Sequence, residues 1–410
     1  MALKKNKGEK EKRKFTLKMP KLSTVSVLAA ALAVFLAAFY AANSPFGAEE
    51  HMTDGGYMLE YENAIVTEVI EDTSIVDTEL ENVHRGSQLL QIRMLTGRYK
   101  GEYFDVKNYL GALYDTHAEE GTRLTVSVAT YPVTEEGAEP EISVAVYDYD
   151  RSGIVIGCIA VLLLVTAIVG GKKGLKSIIG LAVTFVCLIW VLIPLLFKGL
   201  ATVPTTAAVC IYVTVVCFVL LDGISKKTVC AMLGTAGGLL IAVLFTLAAG
   251  ALSHIDGLRE SEIEPLLQEV QQDSPLKLRG IFAAGVMVAA LGAVMDVAMN
   301  ISSALTELVT VNPNMTAREL FKSGMNIGRD MVGTMTNTLI LAFVGSGFTL
   351  MMVLWQYDIP LRQMLSSAYL SLEVINGAAG SLGVVLTVPL TALISSAAMG
   401  YKQTKGRKRQ

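Results

Sequence analysis

Eight apolar runs, each long enough to cross a hydrocarbon core of about 30 Å, constrain this 410-residue chain more than any other feature. They lie near Leu22–Ala42, Gly153–Gly170, Ile178–Phe197, Thr205–Leu221, Thr228–Leu252, Gly280–Ser303, Thr338–Leu354 and Leu382–Gly400. With 52% hydrophobic residues, the chain is too apolar for an ordinary soluble enzyme. The expected fold is an α-helical integral membrane bundle of about eight transmembrane helices.

Charge supports that expectation and adds an orientation. The formal net charge is only −3, but it is sharply segregated. Nine Lys or Arg fall in residues 1–21 and five in residues 402–410, whereas residues 43–152 hold 22 Asp or Glu against seven Lys or Arg. Basic residues are retained on the cytoplasmic side. An inside N-terminus also places Lys172, Lys173, Lys176, Lys226, Lys227, Arg318, Lys322, Arg329 and the C-terminal tail inside. Residues 43–152 and the acidic loop Ser253–Asp273 then fall outside. Both tails abut apolar spans, so they read as orientation signals and not as nucleic-acid contacts. The first run has the basic flank of a signal peptide, but its length favours an uncleaved anchor at 22–42.

The external segment alternates apolar and polar residues with a period near two, as in "NAIVTEVI", "LLQIRML", "RLTVSVATYPV" and "EISVAVYDYD". Turn signals such as "TGRYKGE" and "EEGAEP" separate these runs. Five or six short strands predict a small all-β domain, a closed barrel of OB-like or SH3-like type.

Several chemistries find no support. The five cysteines, Cys158, Cys187, Cys210, Cys217 and Cys230, lie in or beside apolar runs, so neither a disulfide framework nor a thiolate metal site is expected. The histidines His51, His84, His117 and His254 are scattered along the chain outside the spans, and no HExxH pair occurs. The loop "GGKKGLKS" lacks the spacing of a phosphate-binding loop. Asp296 and Asp330 have no Gly-x-Gly-Asp context for aspartyl proteolysis. No enzyme activity, cofactor or metal is expected.

Between the sixth and seventh runs, "NPNMTARELFKSGMNIGRDMVG" predicts a cytoplasmic amphipathic helix over 316–332. Thr316 and Glu319 would form its capping box. "GTAGGLLIAVLF" from Gly234 also echoes "GAAGSLGVVLTV" from Gly377 in the opposite expected orientation, as an inverted repeat would. Small-residue runs match easily by chance.

The residues that stand out chemically are polar ones inside the spans. Asp296 lies within "LGAVMDVAMNI", where an Asp near a helix centre costs about 2.5–3.5 kcal/mol. Gly292, Asp296, Asn300, Ser303 and Glu307 recur at steps of four or three and so share one face. That face is expected to turn toward the bundle interior, with Gly292 allowing close packing. Asp330, Thr334, Asn337 and Thr338 make a second stripe. Glu373 and Asn376 begin the last cluster, in which Pro389 removes one backbone hydrogen bond. Thr387, Thr391 and Ser395 could satisfy the carbonyls thus freed. Interhelical hydrogen bonding is the structural alternative for all three clusters.

Taken together, "TGRYKGEYFDVKNYLG", "DYDRSG", "GGKKGLKSIIGL", "IPLLFKG", "LGAVMDVAMNISSAL", "GRDMVGTMTNTLILAFVGSG" and "GSLGVVLTVPLT" resemble the YibE/F-like family of bacterial multi-pass membrane proteins. The resemblance implies eight spans, an external β-domain and a bacterial cell-membrane location. It implies no defined activity. A fainter likeness over about 60 residues is to the SecD/SecF halves of RND-type permeases. That likeness implies a proton-coupling role for Asp296, with Asn337 and Thr338 opening the following helix, and a homodimer as one working unit.

Two functional expectations follow. One is a transporter or permease for an unknown small solute or ion, with Asp296 as proton or cation site helped by Asn300, Asp330 and Asn337. The alternative is a non-transporting scaffold or sensor in the lipid bilayer whose external domain binds a partner.

Overall fold

A computed structural model describes residues 24–43, 57–80, 83–131, 141–255, 276–277 and 280–400. Both basic tails, most of the loop Ser253–Asp273 and the "EEGAEP" turn lie outside the described residues. Chain contacts separate two compact units, 45–168 and 1–44 together with 169–410.

The first unit is built from six strands: β1 (Met58–Asp72), β2 (Ile75–Asp77), β3 (Val83–Met94), β4 (Tyr103–Leu110), β5 (Arg123–Thr130) and β6 (Ile142–Tyr149). All pairings are antiparallel. The long β1 pairs with β5 through residues 58–65 and with β3 through 64–72, with bulges after Val66 and Val69. Handing one strand from partner to partner through bulges coils the sheet. β4 and β6 come to lie side by side without sharing a ladder. The result is a half-barrel, so the closed barrel expected from the alternation stops short of hydrogen-bonded closure. Ala64, Val66, Leu90, Ile92, Val106, Leu124, Val126 and Val128 fill the core, as the period-two pattern requires.

The second unit contains helices α1 (Thr24–Asn43), α3 (Ile193–Phe197), α4 (Thr202–Asp222), α5 (Lys226–Leu252), α6 (Ile281–Val311), α7 (Ala317–Ser346), α8 (Phe348–Gln356), α9 (Leu361–Ser366) and α10 (Ala368–Met399). Helix α2 (Ser152–Val186) crosses the division between units and leads into a π-helical turn, Cys187–Leu192. Among the described residues, five helical segments are long and apolar enough to cross a membrane, or six if the bent pair α7–α8 is one span.

Two expected boundaries change. The break between the second and third apolar runs is a single residue, Gly171, at φ 53° and ψ −133°. A glycine reaches that region without a Cβ penalty. The separate amphipathic helix over 316–332 is instead the start of one continuous helix, α7. Its capping box forms, with the Glu319 amide donating to Thr316 Oγ1 and the Thr316 amide to Glu319 Oε2. No proline follows to stop it, and the chain bends by 55° only beyond Ser346, at the Gly-Ser-Gly run expected inside the seventh span.

Helix α10 is central, with α5, α6 and α7 packed around it. Small residues make this approach possible. A Cβ added to Gly238 would lie 1.8 Å from Thr387 Oγ1, one on Gly234 2.0 Å from Thr391 Oγ1, and one on Gly328 2.1 Å from Val388 Cγ1. Close backbone approach replaces the hydrophobic driving force that lipid does not supply. The two echoing stretches thus sit on helices that pack antiparallel against each other. Their surroundings differ: α4 also packs on α5, whereas α7 packs on α10.

Candidate functional site

Helical geometry fixes which α6 residues share a face, and the packing decides which way each face looks. Val294, Val297, Ala298, Ile301 and Leu305 are fully buried. Gly292, Asp296, Asn300 and Glu307 are exposed, and Ser303 is half-buried. The stripe therefore exists as expected, but it faces away from this chain's own core. The expectation that it lines the bundle interior is corrected. α6 buries its apolar side because close-packed Val, Ala, Ile and Leu gain dispersion contacts there, and the carboxylate falls opposite.

That outward face differs from those of the neighbouring helices. α5 exposes Leu233, Leu240, Leu244 and Leu247, and α10 exposes Val374, Leu386 and Leu393. α6 exposes no large apolar side chain before Val311. Its outward residues before the last turn are Gly285, Ala289, Gly292, Asp296, Asn300 and Glu307. A Cβ built on Gly285 or Gly292 would meet nothing within 4 Å. The side chains of Asp296 and Asn300 form no hydrogen bond or ion pair with another described residue.

The second stripe, on α7, behaves similarly. Asp330, Thr334, Asn337 and Thr338 are all exposed. The two hydroxyls are satisfied by their own helix, Thr334 Oγ1 donating to the Met331 carbonyl at 3.1 Å and Thr338 Oγ1 to the Thr334 carbonyl at 2.9 Å. Asp330 forms no ion pair with Arg329 or any other described residue.

Glu373 lies elsewhere. It is half-buried on α10, and a Cβ on Gly347 would be 3.8 Å from its Cγ. The carboxylate-bearing residue thus stands beside the α7–α8 break. Below it, Gly377 and Gly380 face Phe343 and Leu339. Around Pro389, Thr387 Oγ1 donates to the Gly383 carbonyl at 2.6 Å. Thr391 is fully buried, with its hydroxyl unpaired among the described residues. Neither hydroxyl is seen to reach the carbonyl that Pro389 leaves without a donor, that of Val385, because Thr387 bonds Gly383 instead. One cavity of about 410 Å³ is lined by Phe35, Cys187, Val191, Tyr212 and other, mostly apolar, side chains, and another of about 430 Å³ by Asp222, Lys227, Thr306 and Thr310. Neither includes a stripe residue.

The β-unit holds a constellation that sequence reading missed. His84 and His117, 33 positions apart, stack with ring centroids 4.0 Å apart and an interplanar angle of 20°. His84 Nδ1 lies 3.2 Å from Asp115 Oδ1, and His117 Nε2 lies 3.1 Å from Asp72 Oδ2. The support beneath them is buried and rigid. Gln88 Nε2 donates to Asp72 Oδ2 at 2.9 Å and to the Ala118 carbonyl at 3.1 Å, while its Oε1 accepts from the Ala118 amide at 3.0 Å. Asn108 Nδ2 donates to the Thr116 carbonyl at 2.7 Å, and Tyr149 Oη to the His117 carbonyl at 2.5 Å. Hydrogen bonds, chiefly from Ser74 and also from Gln88 and His117, hold the Asp72 carboxyl well below the usual range. The polar spacing of Gln88 and Asn108 at inward strand positions was the available signal.

A family model described as YibE/F-like protein matches residues 158–401, well over half of the chain. The chain belongs to the YibE/F-like family. The match covers "LGAVMDVAMNISSAL" and "GRDMVGTMTNTLILAFVGSG" but not the β-unit, whose "TGRYKGEYFDVKNYLG" lies outside it. No curated protein and no solved structure matches the chain. The SecD/SecF likeness thus gains no support. Family membership and the apolar helices together make this a multi-pass membrane protein.

Proposed function

We propose that this YibE/F-like protein moves a proton or cation across a bacterial cell membrane, with Asp296 as the titrating group and a small solute or ion as cargo. One observation carries the reading: the outward face of α6 offers lipid a carboxylate and an amide where its neighbours offer leucine. An Asp near the middle of a span is costly in hydrocarbon, and such residues almost always face a bundle interior or a wet cavity. Here the covering surface comes from outside the chain. In this reading a second copy supplies it, placing two Asp296 stripes on either side of a two-fold axis, with Asn300 on the same face and Asp330 and Asn337 on α7. Glu373, beside the α7–α8 break, is the second candidate, because discontinuous helices are common at ion sites in transporters.

The eight-span topology belongs to the same proposal. Breaking α2 at Gly171, counting α7–α8 as one span and adding α1 brings the helices to the eight runs read from the sequence. Basic loops and tails then lie in the cytoplasm and the acidic β-unit outside. Its strand order fits an OB-like fold. Loss of proton flux in Asp296→Asn proteoliposomes tests the reading.

The buried hydrogen-bond network in the β-unit favours a second reading, a scaffold or sensor whose external domain receives a signal. Unchanged flux in Asp296→Asn, with a phenotype lost on deleting 45–150, would move the function there.

A further inference from the structure

The apolar cavity beside α1 stands apart from the transport reading. We infer that it is a binding site for one acyl chain of a membrane phospholipid, held between α1, the π-helical turn, α3 and α4.

The lining decides the chemistry. Phe35 and Ala38 of α1, Val191 of the turn, Leu195 of α3 and Val209 of α4 are among the side chains that enclose about 410 Å³. Close-packed interiors hold few voids larger than a water molecule, whereas ligand pockets of about 300–1,000 Å³ lined mostly by apolar side chains are common. Water does not suit this one, because an ordered water needs two to four polar partners. Only Cys187, Thr205 and Tyr212 bring a polar side-chain atom to the wall, and the Tyr212 hydroxyl is already committed to the Ala31 carbonyl at 2.9 Å. Left empty, the walls forfeit dispersion contacts that a hydrocarbon restores.

Shape and depth agree with a lipid chain. The Tyr212–Ala31 bond ties α1 to α4 at one end of the space. The wall residues Cys187 and Val191 come from the π-helical turn Cys187–Leu192, a rare geometry that occurs mostly as single-turn bulges at functional sites. Both are buried and form the floor, while Val34, Leu200 and Ala208 are exposed and form a mouth open toward lipid. From Pro204 to Tyr212, α4 rises about 12 Å, against about 15 Å for one leaflet of a bilayer core. α1 contributes from its second half and α4 from its first, so the slot lies toward one membrane face. An acyl chain along the membrane normal fills it without leaving its leaflet, and a multi-pass membrane protein meets such chains on every side.

The test uses the full-length protein in detergent, stripped of lipid and titrated with phosphatidylglycerol that carries a diazirine in one acyl chain. After photolysis the adducts are mapped by peptide mass spectrometry. The expected result is saturable labelling on residues 34–38, 187–195 and 204–212, suppressed by excess unlabelled phosphatidylglycerol. Ala208→Phe, which blocks the mouth, should cut the saturable yield roughly tenfold or more, as overfilling a packed site does, with an unchanged thermal melt. Ile211→Phe, on the 49% exposed face of α4 outside the cavity, should leave it unchanged. Labelling that does not saturate, or that falls equally on the exposed Leu240 and Leu244 of α5, would overturn the inference. So would suppression by palmitate but not by phosphatidylglycerol, or equal yields in both variants. If Ala208→Phe fails to fold, saturation and adduct position in the wild type decide.

Discussion

Gly238 of α5 and Thr387 of α10 sit so close that a Cβ on the glycine would lie 1.8 Å from the threonine hydroxyl oxygen. That hydroxyl is already committed to the Gly383 carbonyl, and a Cβ on Gly238 would also lie 2.9 Å from Val294 Cγ1. The contact ties α5, α6 and α10 into one core. Gly238→Ala should therefore destabilise the membrane unit by about 1–3 kcal/mol, as overpacking does. The expected readout is a lower melting temperature and a smaller monodisperse fraction in detergent. Gly157→Ala and Gly170→Ala, where a Cβ meets nothing within 4 Å, should leave both unchanged. Equal effects at all three positions would contradict the packing.

A second copy covering the α6 stripe predicts a pattern of cross-links. In a cysteine-free background, Ala289→Cys on the outward face of α6 should cross-link copies in native membranes with a short bifunctional reagent. Leu240→Cys, on the outward face of α5, should not, because its 58% exposed leucine belongs against lipid. Cross-linking at Leu240 alone would place the interface elsewhere.

The β-unit should be acid-sensitive. The carboxyls of Asp72, Asp148 and Asp150 are held below their ordinary range, chiefly by hydrogen bonds from Ser74, Arg151 and Ser152 respectively. A group with a lowered folded-state value contributes stability that is fully present above its unfolded value and fades as pH falls through the folded one. Stability should thus hold at neutral pH and decline below about pH 4. Thermal melts followed by tyrosine fluorescence at successive pH values would check this, and Asp72→Asn should flatten the decline. A melt temperature that rises on acidification would contradict it.

Gln88 is the hub of that unit, bonded to Asp72, Asn108 and both backbone groups of Ala118. Gln88→Leu keeps the volume but leaves the buried Ala118 amide and carbonyl unpaired. Each such group costs about 1–3 kcal/mol. A drop in the β-unit melting temperature much larger than that of half-buried Gln91→Leu is expected.

The sequence carried the periodic features and lost the directional ones. Alternation along β1, β3 and β5 located the half-barrel core, and the Thr316–Glu319 pair announced the start of α7. A glycine pair marked the break at Gly171. The helical period placed Gly292, Asp296 and Asn300 on one face, but period alone carries no sign, so inward and outward could not be told apart. The continuity of α7 through Gly333 and Asn337 was hidden because a change from an amphipathic to an apolar pattern resembles the boundary between a surface helix and a span, although no proline interrupts it. The stacked His84 and His117 left only an indirect signal, the polar Gln88 and Asn108 at inward strand positions. They meet where Gln88, Asn108 and Tyr149 hold the β4–β5 loop against the sheet.

The most direct test of the transport proposal is proton flux into liposomes containing the purified protein under an imposed pH gradient. Wild type, Asp296→Asn and Asp296→Glu should be compared at equal reconstitution. The proposal predicts flux in wild type, none in Asp296→Asn and partial recovery in Asp296→Glu. Equal flux in wild type and Asp296→Asn, or no flux in any of the three while all remain folded, would contradict it.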